Sequence, residues 1–163
     1  MAKRKQPTKK RMKVRLDNAV RLYIKERDSD TCVTCGQHKL STVSKTLDWS
    51  HKVSRNNLFL RWDERNSLAQ CRGCHNKWGC GINTPMNKAI DTMWGPGTAE
   101  RLEQFATRNT TIKGTELDQV EYRLKLESFY KKKLKALQEG HITPEQSRLN
   151  LWEEYTNLSS QTP

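Results

Sequence analysis

Apolar positions along the chain recur with two periods, and the change from one to the other divides it. Over 13–28, Val14, Leu16, Val20, Leu22 and Ile24 supply an imperfect helical stripe, which Asp28-Ser29-Asp30 ends. Thr46–Val53 then alternates as a strand does, with Leu47, Trp49 and His51 on one face and Asp48, Ser50 and Lys52 on the other. A second short strand is expected over Asn66–Gln70, and a helix from Arg72. Residues 84–96 read as a short helix ended by Gly95-Pro96-Gly97. Thr98 is placed to cap a helix to about Thr107. Thr115 with Asp118 is placed to cap another, to about Gln138, on which Leu126, Tyr130, Leu134 and Leu137 repeat at helical spacing. Beyond Gly140, Thr143-Pro144-Glu145-Gln146 has the form of a capping box with proline at the first helical position. It heads a last helix carrying Leu149, Trp152 and Tyr155. Two long helices joined at Gly140 predict a helical hairpin that packs on the core or forms a homodimer. The fold class is α+β.

Composition changes this picture in one respect. Hydrophobic residues make up 34% of the 163 residues and mean hydropathy is -0.94, which is thin for a chain held by apolar burial alone. Something else is expected to hold it. The formal charge of +12 and the pI near 9.7 point to a polyanionic partner. Lys3, Arg4, Lys5, Lys9, Lys10 and Arg11 form a basic arm over residues 1–12, expected to be disordered when unbound and to track phosphates. No run is long and apolar enough for a membrane span, and no apolar stretch follows the basic start as in an export signal. The expectation is a cytoplasmic protein with no membrane partner, in a compartment where thiols bind metal more often than they pair.

Two C-x-x-C knuckles, Cys32-Val33-Thr34-Cys35 and Cys71-Arg72-Gly73-Cys74, supply four thiolates, the donor set of a structural zinc site. Gly36 and Gly73 ease the turns around them. Residues 36–70 between the knuckles leave room for two strands. Zinc binding contributes on the order of 10 kcal/mol of folding energy, which suits the thin core. A redox dithiol or disulfide pair is the bland reading, less in keeping with two matched knuckles. His38 and Cys80 are substitute ligands of lower rank.

Around the knuckles stand LDWSHKVSR and RWDERNSLAQCRGCHNKW. His51 lies on the first strand, Asn66 lies five positions before Cys71, and His75 follows Cys74. Phosphodiester hydrolysis needs a base for water and a cation for the developing charge. His51 can be the base, and Asp48 with His75 can hold Mg2+ or a similar ion. Asn66 can orient the base across the hairpin. Trp49, Trp62 and Trp78 cluster nearby and read first as core.

The spacing N-x4-C-x2-C-H with an upstream strand histidine resembles the HNH (ββα-metal) endonucleases. DWSHKVSR followed by LRWDERNSLAQCRGC is similar to the phage NinG (Rap) recombination nucleases. The likeness covers about residues 30–80. It implies a small zinc-stapled ββα-metal core flanked by an N-terminal helix and a C-terminal helical hairpin. It implies His51 as general base, His75 and Asp48 on the catalytic ion, Asn66 as the orienting residue, and Cys32, Cys35, Cys71 and Cys74 on zinc. It also implies Arg55 near the scissile phosphate; Lys52, Lys77, Arg11 and Lys13 are further candidate DNA contacts. The implied activity is divalent-metal-dependent DNA cleavage, with branched DNA such as Holliday junctions as substrate. Two departures stand out: Ser50 occupies the place where many HNH enzymes carry aspartate, and His75 stands where NinG-like chains often carry asparagine, leaving Asn76 as a fallback ligand. The competing readings are a non-catalytic zinc-ribbon DNA-binding protein and a nuclease directed at RNA. The expected division is an arm over 1–12, a nuclease core over 13–96 and a helical region over 97–163.

Overall fold

The computed structural model describes residues 7–42 and 44–148. The expectations for Lys3, Arg4 and Lys5, and for Leu149, Trp152 and Tyr155, lie outside these residues.

Helix α1 spans Lys9–Arg27, capped by Thr8, whose hydroxyl accepts the Arg11 N–H at 3.2 Å. It therefore begins inside the stretch expected to be a disordered arm. A threonine cap followed by lysines and arginines, which are good helix formers, is sufficient local reason. Its buried residues are Met12, Leu16, Ala19, Val20, Tyr23, Ile24 and Arg27, separated by the helical steps of three and four. Val14 and Leu22, expected in the same stripe, are 55% and 50% exposed on the opposite face.

Strand β1 (Asp48–His51) pairs antiparallel with β2 (Ser67–Gln70), in a register that sets Asp48 opposite Gln70 and His51 opposite Ser67. Both strands are shorter than expected. Asn66 ends the ladder: its carbonyl accepts the Lys52 N–H at 2.8 Å, and its side-chain oxygen accepts the Val53 N–H at 2.7 Å. The side chain thus takes the place of the next rung, and the chain leaves the sheet. Alternation does not separate core from solvent here, because elements cover both faces. β2 is buried throughout, and Ser50 and Lys52 on the expected outer face are buried as well.

Helix α2 (Arg72–Gly79) follows β2 directly. Helices α3 (Thr84–Trp94) and α4 (Thr98–Arg108) bury Met86, Ile90, Ala99 and Leu102 against Leu60 and Leu68. Thr98 does not cap α4. It is the first helical residue, and its hydroxyl donates to the Trp94 and Gly95 carbonyls. Gly97, at φ 77°, takes the cap position, where a left-handed backbone suits glycine.

Helix α5 (Val120–Gln138) lies along α1, with the Tyr130 and Tyr23 rings 5.3 Å apart. It follows a short 3-10 turn (Glu116–Asp118), and Thr115 makes no capping bond to it. The split at residue 96 therefore marks no gap in packing: α5, from the expected separate region, covers the helix that opens the expected core. The capping box beyond Gly140 forms, with the Thr143 N–H donating to Gln146 Oε1 at 2.8 Å and the Gln146 N–H to Thr143 Oγ1 at 3.2 Å. Residues 144–148 are helical, and the Ser147 hydroxyl sits 3.2 Å from that of Tyr23.

A buried ionic cluster ties these layers together. Arg27, wholly buried, forks onto Asp28 at 2.7 and 3.0 Å and donates to the Glu64 and Ser67 carbonyls. Asp28 in turn accepts the Ala69 N–H at 2.8 Å. Glu64 takes the Tyr23 hydroxyl and the Lys133 ammonium. Burial raises the Glu64 carboxyl above the ordinary range, against the pull of Lys133 and Arg27. Charges this deep persist only when paired, so the cluster fixes α1, the 3-10 turn at Glu64–Asn66, β2 and α5 in one arrangement. No described helix is long and apolar enough to cross a membrane.

Candidate functional site

The two knuckles meet. The ligand atoms of Cys32, Cys35, Cys71 and Cys74 all lie within 4.8 Å of one another, and the Cys35 and Cys71 sulfurs are 3.8 Å apart. Four sulfurs at ~2.3 Å from one tetrahedral ion are separated by ~3.8 Å, so the cluster fits a zinc ion. Local structure explains the convergence. Val33 N–H donates to the Ala69 carbonyl at 3.0 Å, which ties the first knuckle to β2. Gly36, at φ 74°, turns the chain back so that its N–H reaches the Cys32 carbonyl. Cys71 caps α2, its sulfur accepting the Cys74 N–H at 3.5 Å. Burial works against the Cys32 thiolate, but the backbone N–H groups of Cys71, Cys35 and Thr34 outweigh it and lower that thiol below its ordinary value. His38 stays outside the cluster, accepting the Leu40 N–H in an exposed turn, and Cys80 is exposed at the end of α2.

The staple sets α2 beside β1, and the Trp78 indole N–H adds a 3.0 Å bond to the His51 carbonyl. Between them opens a cleft of about 810 Å3, lined by Asp48, Trp49, His51, Arg55, His75 and Trp78, with Arg21 and Arg72 at its walls. His75 Nδ1 is 2.8 Å from Asp48 Oδ2, and Arg72 reaches the same oxygen at 3.1 Å. Burial pushes the Asp48 carboxyl up, but the hydrogen bonds from His75 and Arg72 win and hold it below the ordinary carboxylate value. A carboxylate oxygen and an imidazole nitrogen this close form a hydrogen bond with each other, and the same two atoms are donor types that can serve together on one divalent ion.

His51 is 7% exposed. Its Nε2 is 3.1 Å from the Arg61 carbonyl. A carbonyl only accepts, so Nε2 carries the proton and Nδ1 keeps its lone pair. Burial, with the charges of Arg61 and Arg55 adding to it, pushes the ring down to about 4, against the pull of the carbonyl bond. At neutral pH the ring is therefore in its base form. The Trp49 ring lies 4.3 Å from it, centroid to centroid.

Asn66 is wholly buried. Its Nδ2 donates to the Val53 and Leu60 carbonyls at 3.0 and 2.9 Å, so it fastens both ends of the loop that returns from β1. It acts on His51 through this loop and does not touch the ring.

The candidate cation contacts separate into two groups. Arg55 is exposed in the cleft. Lys52 is not available to phosphate: it is 2% exposed, its ammonium pairs with Glu103, and it lies over the Trp78 ring at 5.0 Å. Continued strand alternation would have pointed it outward, but α2 and α4 enclose it. Lys77 is exposed on a different side of α2 from His75, over the knuckle, and Arg11 and Lys13 sit on α1 away from the cleft lining. Arg72 stands one helical turn before His75 and could have been found from that spacing. Nothing local marks Arg21, which tertiary packing alone brings to the cleft.

No protein-family model, curated protein or solved structure matches the chain.

Proposed function

We propose that the chain is a divalent-metal-dependent DNA endonuclease of the HNH kind. The observation that carries this reading is the cleft in which a base-form imidazole and an Asp48–His75 ligand pair stand with Arg55. His51 Nδ1 takes the proton of the attacking water, and Arg55 pairs with the phosphate. Asp48 and His75 would hold the ion, whose chemistry is to neutralise charge on the phosphate and the leaving oxygen. Asn66 keeps the loop closed behind His51. The zinc site is structural, since all four of its positions are filled by sulfur. The net charge of +12 suits a polyanionic substrate.

The resemblance to NinG-like nucleases adds branched DNA as the preferred substrate and a role in phage recombination, with a homodimer matching the two-fold symmetry of a four-way junction. The test is a cleavage panel of plasmid, four-way junction, flap and RNA with Mg2+ or Mn2+, with and without chelator. Divalent-dependent nicking of DNA that His51→Ala abolishes is the expected result. Salt-sensitive binding without nicking under any ion would leave a non-catalytic zinc-ribbon DNA-binding protein instead. Preferential cleavage of RNA would redirect the same site to another substrate.

A further inference from the structure

His51 ends β1, and Arg55 lies in the segment 52–63 that follows, which has no sheet or helix of its own to aim either group. Its backbone is held by side chains. The Leu60 carbonyl accepts from Asn66, the Arg61 carbonyl from His51 and the Trp62 carbonyl from the Tyr130 hydroxyl. At the centre, the Arg61 guanidinium forks onto Asp17 of α1, with Nε to Oδ1 and Nη2 to Oδ2 both at 2.7 Å. Its remaining arm, Nη1, donates to the Arg55 carbonyl at 2.6 Å. The Trp62 indole N–H reaches the same Asp17 carboxylate at 2.9 Å. The Arg61 side chain is 7% exposed and that of Asp17 21%, so water competes little for either.

We propose that Asp17 and Arg61 are a positioning pair that aims both the base and the phosphate contact. The fork onto Asp17 fixes the guanidinium. The fixed guanidinium holds the Arg55 backbone, and the same residue's carbonyl holds the His51 Nε2–H so that Nδ1 is the atom left to accept a proton. One residue, through its guanidinium on one side and its carbonyl on the other, thereby sets the spacing of two groups six and ten residues before it in sequence. A lysine cannot replace it, because it lacks the fork and the third directed donor. Helix α1 is then part of the site's construction, and Arg21, one turn beyond Asp17, reaches the cleft for the same reason.

This inference rests on the endonuclease reading for its kinetic consequence but not for its structural one, and the experiment separates the two. Full-length protein labelled with 15N-histidine reports the His51 tautomer by NMR, alongside steady-state DNA cleavage. Wild type is expected to show the Nε2–H form alone. Asp17→Asn keeps an oxygen for Trp62 but loses the charged fork. Together with Arg61→Lys it is expected to mix the tautomers and to lower kcat about tenfold or more with little change in KM. Asp17→Glu is expected to restore part of both signals. Unchanged tautomer in folded Asp17→Asn overturns the pair, whether or not cleavage falls. A mixed tautomer in the variants, with wild type itself unable to cleave DNA, keeps the pair and overturns the endonuclease reading.

Discussion

His51 shows how much a single side chain's surroundings decide. A histidine on a strand is most often structural, and in this chain burial plus two neighbouring guanidinium charges keep it neutral, with its pKa near 4. The folded-state value lies below the ordinary 6.5, so between those values the unfolded chain binds the extra proton. Stability is complete above pH 6.5 and falls as pH drops toward 4, by about 3 kcal/mol for this one ring. Denaturant unfolding at pH 7 and pH 4.5 should show part of that loss in wild type and less of it in His51→Asn. Cleavage, by the same reasoning, should persist below pH 6, where an ordinary histidine base would be silenced. Asn66 is the second residue whose role is decided by burial. Asn66→Ala would leave the Val53 N–H and carbonyl without the partners the Asn66 side chain gives them, and the Leu60 carbonyl with the Asp63 N–H alone, and a cost of about 3 kcal/mol is expected in chemical denaturation.

At the scale of elements, the four-cysteine cluster brings together what the sheet alone cannot. A hairpin of two four-residue strands is marginal by itself. Cys71 is at once a member of the sulfur cluster and the cap of α2, so an ion bound by the cluster would form its site together with the helix start. Cys35→Ser, or a strong chelator, is expected to lower the Tm by well over 10 °C if the site supplies several of the ~10 kcal/mol typical of structural zinc. Elemental analysis should find one zinc per chain in wild type. This part was legible in the sequence: the paired C-x-x-C spacings, and His75 directly after the second, place the imidazole on the first turn of the helix beside the strand that carries Asp48. The strand alternation was legible but misleading at Lys52, because alternation separates core from solvent only when one face is wet, and here α2 and α4 cover the other. The Asp17–Arg61 fork was not legible at all, since an aspartate on a basic helix and an arginine in a loop carry no shared period or spacing.

The whole molecule is arranged around buried charge as much as around apolar area. Arg27, Asp28, Glu64 and Lys133 link the first helix, the second strand and α5, and fix how the apolar α1–α5 layer sits against the hairpin. Removing one member leaves the others charged in a dry place, so Glu64→Ala is expected to cost about 3–5 kcal/mol and to loosen α5 together with α1. Hydrogen exchange should show the two helices losing protection as a unit. The sequence pattern marked the apolar repeat of α5 and its end at Gln138 but not its start at Val120, and it could not say that α5 would close over α1, because helical periodicity marks a face without naming its partner.

As an endonuclease of the proposed kind, the protein would hold a metal-binding pair and a separate base in one cleft. The most direct measurement is Mn2+ binding, followed by electron paramagnetic resonance, beside DNA cleavage, in wild type, His51→Ala and His75→Ala protein with the zinc site intact. The expected result is that His75→Ala loses both Mn2+ binding and cleavage, while His51→Ala binds Mn2+ as wild type does and loses cleavage by about 100-fold or more. Mn2+ binding that is unaffected by His75→Ala, or cleavage that survives His51→Ala, would contradict it.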